Sequence, residues 1–110
     1  MATTKKEGFT PEDQRLAEIA KALAHPARIA ILKELAKRNT CICGEIVEVL
    51  PLAQSTVSQH LKELSQAGLI SGTVDGVKSC YCINWKAFAQ IQSLFAGFFT
   101  NALADDSKCC

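Results

Sequence analysis

One stretch, Thr40 to Leu69 (TCICGEIVEVLPLAQSTVSQHLKELSQAGL), constrains the fold of this chain more than any other. Between Gly44 and Leu50 the apolar Ile46, Val47, Val49 and Leu50 recur at helical spacing. Pro51 then disfavours the α conformation at the residue before it and ends that helix. A second helix is expected from about Gln54 with Ser55 as N-cap. Val57, Leu61, Leu64 and Ala67 share one face of it, and Gly68 supplies a left-handed stop. Gln54, Ser55, Thr56, Ser58, Gln59 and Lys62 are left facing outward. Small hydroxyls and amides at the N-terminal end of an exposed helix both donate and accept, as base-edge and phosphate contacts in a major groove require. The unit reads as a helix-turn-helix.

A chain of 110 residues with 48% hydrophobic content supports one compact domain, and its surface-to-volume ratio favours pairing as a way to bury more apolar area. The formal net charge is only +1, so a case for DNA rests on where Lys33, Lys37, Arg38, Lys62 and Lys78 sit. The first residues, MATTKKEGFTPEDQ, contain no apolar signal core. The most apolar segment, Trp85 to Ala104, is broken by Lys86, Gln90, Gln92 and Asn101, so a cytoplasmic protein without a membrane span is expected. In that compartment six cysteines argue against a disulfide framework and for thiols kept for metal binding or redox chemistry.

Residues 1–9 are polar and aperiodic and read as a flexible arm, residues 10–104 as the folded domain, and residues 105–110 as a flexible cysteine-containing tail. Thr10 is the expected N-cap and Pro11 the first position of a helix that turns Leu16, Ile19, Ala20 and Leu23 inward. It stops at His25-Pro26. The next helix buries Ile29, Leu32 and Leu35, exposes Lys33, Lys37 and Arg38, and closes at Asn39. Beyond Leu69, two β-prone runs, residues 69–74 and 78–83, flank Asp75-Gly76 and predict a hairpin placed as a wing. In the last helix Trp85, Phe88, Ile91, Leu94, Phe95, Phe98, Phe99 and Leu103 form a stripe broader than one small core needs. The surplus points to a partner helix, against the plainer reading of a helix packed on its own domain.

The order helix, helix, helix-turn-helix, hairpin, helix resembles the ArsR/SmtB family of metal- and metalloid-responsive winged-helix repressors from about Leu16 to Leu103. The residues that carry the likeness are Ala22-Leu23-Ala24-His25-Pro26-Ala27-Arg28-Ile29-Ala30-Ile31-Leu32, with Ser55-Thr56-Val57-Ser58-Gln59-His60-Leu61 and Ala67-Gly68-Leu69-Ile70. The fold class expected is α+β, a winged helix-turn-helix that is mostly α. The resemblance implies a homodimer joined through its first and last helices, which binds double-stranded operator DNA and is released when an inducer occupies a thiol or imidazole site. Lys78 in the wing would meet phosphate, and His60 would touch a phosphate or bond to the scaffold. For His25 and Arg28, capping or packing is the reading.

The cysteines form three close pairs: Cys41 with Cys43, Cys80 with Cys82, and Cys109 with Cys110. Two residues apart on a strand, Cys80 and Cys82 project from one sheet face. If Thr40-Cys41-Ile42 is extended, as the resemblance implies, it can pair with the second wing strand and bring four thiols together. Three sulfurs suit As(III) or Sb(III), and four suit Zn(II) or Cd(II); the plain alternative is that buried thiols are small hydrophobes. The arsenic-responsive members carry Cys-x-Cys directly before an acidic-aliphatic pair. Here Gly44 separates Cys43 from Glu45-Ile46, a shift of about 100° if the segment is helical. The zinc site on the family's last helix needs acidic and imidazole ligands, and Trp85 to Leu103 has none. Cys109 and Cys110 form a vicinal dithiol that can serve as an optional ligand.

The expected function is a repressor released from its operator by arsenite or antimonite at cysteine thiolates. Two alternatives are a thiol redox switch on the same fold and a cysteine-zinc interaction module that binds no DNA. An enzyme is not expected, because the chain has no Ser-His-Asp set, no Gly-rich phosphate loop and no Cys-x-x-Cys.

Overall fold

The computed structural model describes residues 8–38, 41–43, 51–73 and 80–106. Within them lie four helices and three strands: α1 (Pro11–Ala22), α2 (Pro26–Arg38), β1 (Ile42–Cys43), α3 (Gln54–Gln66), β2 (Ile70–Thr73), β3 (Cys80–Ile83) and α4 (Trp85–Leu103). The expected first helix of the helix-turn-helix, Asn39, the tip of the wing with Lys78, most of the arm, and Cys109 and Cys110 lie outside the described residues.

Thr10 caps α1 as expected, its hydroxyl accepting from the Asp13 N–H at 3.0 Å with Pro11 next to it. Glu12 and Asp13 complement the positive end of the helix dipole. Ile19 has no exposed surface and Ala22 is buried, whereas Ala20 faces solvent. Ala20 was expected inward, but Ala22 lies three residues from Ile19 and so stands over it, while Ala20 is about 100° away. In α2 the burial centres on Ile31, Leu32 and Leu35, and Ile29 is only half-buried. The inward arc is wider than a single stripe because α2 packs against both α3 and β3.

Helix α3 begins at Gln54, as expected, but its cap lies two residues before the expected Ser55. Ala53 is its N-cap, extended at φ −66°, ψ 150°, without a side-chain bond, and its carbonyl accepts from the Thr56 and Val57 N–H groups. Ser55 is therefore inside the first turn. Val57, Leu61 and Leu64 are buried as expected. At the other end Gly68, at φ 84°, lets the Gly68 and Leu69 N–H groups return to the Ser65 and Leu64 carbonyls, closing the helix as a Schellman turn.

The strands form one antiparallel sheet in the order β1-β3-β2. Ile70 pairs with Ile83, Gly72 with Tyr81, and, on the other edge, Ile42 with Tyr81. Tyr81 and Ile83 point into the core beside Ile70 and Leu69, and Cys80 and Cys82 alternate with them on the opposite face. Asn84 joins three elements. Its Oδ1 accepts from Ala87 N–H to cap α4, its Nδ2 donates to the Gly68 carbonyl at 3.1 Å, and its own N–H donates to the Leu69 carbonyl. Helix α4 lies along α1. No helix among the described residues is long and apolar enough to cross a membrane.

Gly72 sits at φ 138°, and a Cβ there would overlap the Cys80 carbonyl across the hairpin. Gly72→Ala should therefore destabilise the protein by about 1–3 kcal/mol, read as a lowered urea midpoint at unchanged slope.

Candidate nucleic-acid interface and cysteine cluster

Burying Val57, Leu61 and Leu64 leaves a defined outer face on α3. Ser55, Thr56, Gln59 and Lys62 are exposed, and Ser58 and His60 are half-buried at its edges. The side chain of Gln54 lies outside the described part. Two side chains on this face are held by partners: that of Gln59 was not expected, and that of His60 is the expected scaffold bond. Gln59 Nε2 donates to Glu63 Oε2 at 3.2 Å, so the amide is held toward the C-terminal half of the helix by a carboxylate one turn on. His60 Nδ1 accepts from Arg28 Nε at 3.0 Å, and the same guanidinium donates through Nη1 to the Ala22 carbonyl at the end of α1. Arg28 thus does cap α1, as expected, and also reaches α3. Burial pushes the His60 pKa down, with the Arg28 and His25 charges acting in the same sense and Glu63 opposing them.

The C-terminal end of α3 is tied to the scaffold from two sides. Arg15 of α1 donates to the Ala67 carbonyl at 3.3 Å, and Asn84 donates to that of Gly68. The outer face is therefore carried on a helix fixed at its end to α1 and to the start of α4.

The cysteines meet at the opposite edge of the sheet. β1 pairs antiparallel with β3, with Cys43 opposite Cys80. Two positions along, beyond the Ile42–Tyr81 pair, Cys41 and Cys82 stand with Cα atoms 4.3 Å apart and are joined as a disulfide. The sulfur of Cys80 is disulfide-bonded as well. The pairing of the segment after residue 40 with the second wing strand is thus the one expected, and it brings together cysteines 41 residues apart in sequence. The oxidised state differs from the expectation of free thiols, because the register places the sulfur-bearing positions directly across from each other. With these sulfurs joined, no group of three His, Cys, Asp or Glu side chains among the described residues stands ready for an ion. Occupancy by a thiophilic species requires reduction first.

Residues 25–71 match the family model for bacterial regulatory proteins of the arsR family. Over its full length the chain is 38% identical to the arsenical resistance operon repressor of Bacillus subtilis, covering 90% of that protein. The chain belongs to the ArsR/SmtB family of helix-turn-helix transcriptional repressors. It is also 42% identical over 64 residues to the HTH-type transcriptional repressor SmtB of Mycobacterium tuberculosis, though that match spans only 47% of the mycobacterial protein. A crystal structure of an ArsR family transcriptional regulator superimposes with a TM-score of 0.67 at 22% identity, covering 80% of this chain and 90% of the other, which supports the winged-helix fold. The relatives are regulators rather than enzymes. The β2-β3 hairpin is the wing of that fold, and α3 is the helix that precedes it.

Neither the Arg28–His60 bond, across 32 residues, nor the Cys41–Cys82 bond leaves a local periodic signal. For the cysteines the two-residue spacing of each pair was the available clue, and for Arg28 there was none. A non-reducing digest of purified protein should yield a Cys41–Cys82 linked peptide that disappears on treatment with a phosphine reductant. Recovery of both residues only as alkylated thiols from protein purified in air would contradict the bond.

Proposed function

We propose that this protein is a homodimeric repressor that binds double-stranded operator DNA through α3 and the wing, and is released when arsenite or antimonite binds its reduced cysteines. The observation that carries the reading is the β1–β3 pairing, which gathers Cys41 and Cys82, with Cys80 beside them, on the root of the wing. Gln54, Ser55, Thr56, Ser58, Gln59, His60 and Lys62 would face the groove, with Lys78 against phosphate. Three thiols replacing the three hydroxyls of arsenous acid give a pyramidal tris-thiolate and three waters. Cys41, Cys43, Cys80 and Cys82 offer more sulfurs than that needs, and Cys109 and Cys110 would be an auxiliary pair. A four-thiolate set would equally take Zn(II) or Cd(II), so the ion panel must include them.

Ligands on β1 and β3 join the segment that leads into the helix-turn-helix to the wing. Drawing them to one centre would fix the angle between two DNA-contacting elements, and a coupling of about 1–3 kcal/mol suffices for regulation. The disulfide favours a second reading on the same residues, a redox switch in which oxidation rather than an ion sets that angle. Operator release by arsenite in reducing buffer supports the first reading. Release by peroxide in metal-free buffer, with no response to arsenite, supports the second.

In Cys80→Ser, Cys82→Ser protein, operator affinity without inducer should stay within about twofold of wild type while release by arsenite is lost; Cys109→Ser, Cys110→Ser should respond almost normally. Fluorescence anisotropy of labelled operator reads both. Normal release from the Cys80, Cys82 variant would remove the wing from the site.

The partner for α4 would be a second copy. Phe88, Ile91 and Phe95 pack on the protein's own core, but Trp85, Phe98, Phe99 and Leu103 remain exposed, with the Phe98 and Phe99 rings edge to face at 5.0 Å. Burying such a ring against a partner stabilises by roughly 1.5–3 kcal/mol. Phe98→Ala, Phe99→Ala protein should sediment as a folded monomer at micromolar concentration, and a persistent dimer would move the interface elsewhere.

A further inference from the structure

The Arg28–His60 pair does more than the capping that sequence suggests. Arg28 is anchored from behind, its Nη1 bonded to the Ala22 carbonyl at 3.1 Å, and its Nε is aimed at His60 Nδ1 at 3.0 Å. The His25 ring, in the turn between α1 and α2, lies 5.5 Å from the His60 ring, and on α3 itself the Glu63 carboxylate acts on His60 in the opposite sense to Arg28 and His25. A guanidinium only donates and does not lose its proton, so the nitrogen it meets must offer a lone pair. The neutral His60 ring therefore carries its hydrogen on Nε2. Nε2 has no partner among the described residues, and no buried side-chain nitrogen or oxygen there lacks one, so Nε2 reaches solvent. It does so on the helix whose neighbouring Gln59 and Lys62 are exposed.

We propose that Arg28 is a positioning residue for DNA binding, holding the His60 ring so that Nε2–H is presented as a neutral hydrogen-bond donor to a backbone phosphate. This rests on the reading of α3 as the DNA-contacting helix. Its physical consequence is specific. A neutral donor displaces no condensed counterion, so it adds affinity without adding to the salt dependence, whereas a cationic contact adds about 0.9 to the log–log slope. The surroundings favour the neutral ring in the same sense as this bond: burial, Arg28 and His25 lower the His60 pKa, against Glu63.

The test uses full-length reduced protein and a labelled random-sequence duplex of about 30 base pairs, since a phosphate contact needs no operator. His60→Ala should weaken binding about five- to tenfold with the salt slope unchanged, and Lys62→Ala should lower the slope by about 0.9. Between about pH 6 and pH 8, Arg28→Ala should make affinity vary more steeply with pH than in wild type, because removing Arg28 removes one of the causes that lower the His60 pKa. Nitrogen NMR of wild-type protein should show the Nε2–H form of His60, a measurement independent of whether any variant folds. An Nδ1–H ring in the wild type, or a slope that falls in His60→Ala, overturns the proposal. An unchanged pH profile in a folded Arg28→Ala protein overturns the role of Arg28. If Lys62→Ala and His60→Ala both leave DNA affinity unchanged, the reading of α3 fails as a whole. A loss confined to Lys62→Ala rejects only the His60 contact.

Discussion

The pleat of β3 is the constraint on which the rest depends. A strand alternates its side chains with a period of two, and β3 spends one phase on the core and the other on sulfur. Tyr81 and Ile83 complete the apolar interior with Ile70 and Leu69, so the register of the strand is fixed by burial. Cys80 and Cys82 are then necessarily on the other face. Because β3 is the middle strand, it has a neighbour on each side: β2 makes the wing, and β1 brings in Cys41. A one-residue slip would put both sulfurs in the core and both apolar residues in solvent. The hydrophobic term therefore holds the thiol chemistry in place.

The same economy fixes α3. Its C-terminal carbonyls, which a helix leaves unsatisfied, are taken by Arg15 from α1 and by Asn84 from the start of α4. Its middle is held through His60 by Arg28, itself bonded to the last turn of α1. These bonds join α3 to α1, α2 and the β3–α4 junction, and α4 lies along α1. A change in how α1 and α4 pack therefore has a polar route to the angle of α3, separate from the route through the wing.

Much of this was legible in the sequence where the signal is local. Thr10-Pro11 marked the start of α1, Gly68 the end of α3, and the run around Asp75-Gly76 the two wing strands. The inward set Val57, Leu61, Leu64 followed from helical period alone. Misplacements came where a neighbour in space decides. Ile31 is more buried than Ile29 because β3 and α3 cover α2 from two directions. Ser55 had the chemistry of a cap, but the chain after Pro51 is already extended at Ala53, and the helix starts there without a side-chain bond. The cysteine pairs announced themselves by spacing, yet nothing in spacing says whether two sulfurs hold an ion between them or bond to each other. That depends on the redox potential around the molecule.

This last point bears on the proposed mechanism, because oxidation and metalloid binding use the same sulfurs and exclude each other. A disulfide between Cys41 and Cys82 leaves neither as a thiolate. Each state also ties the segment before the recognition unit to the wing, one by a direct S–S bond and the other through a larger central atom. The two cannot impose the same spacing, since a bridging atom separates the sulfurs that the bond holds together. If the operator-bound form needs the looser, reduced pairing, both chemistries release DNA and the protein reports either stress. If the disulfide spacing is the one that fits the groove, oxidation holds the repressor on its operator and blocks the inducer as well. Because β1 and β3 carry both chemistries on the same sulfurs, measuring the redox response against the arsenite response identifies which spacing the groove accepts.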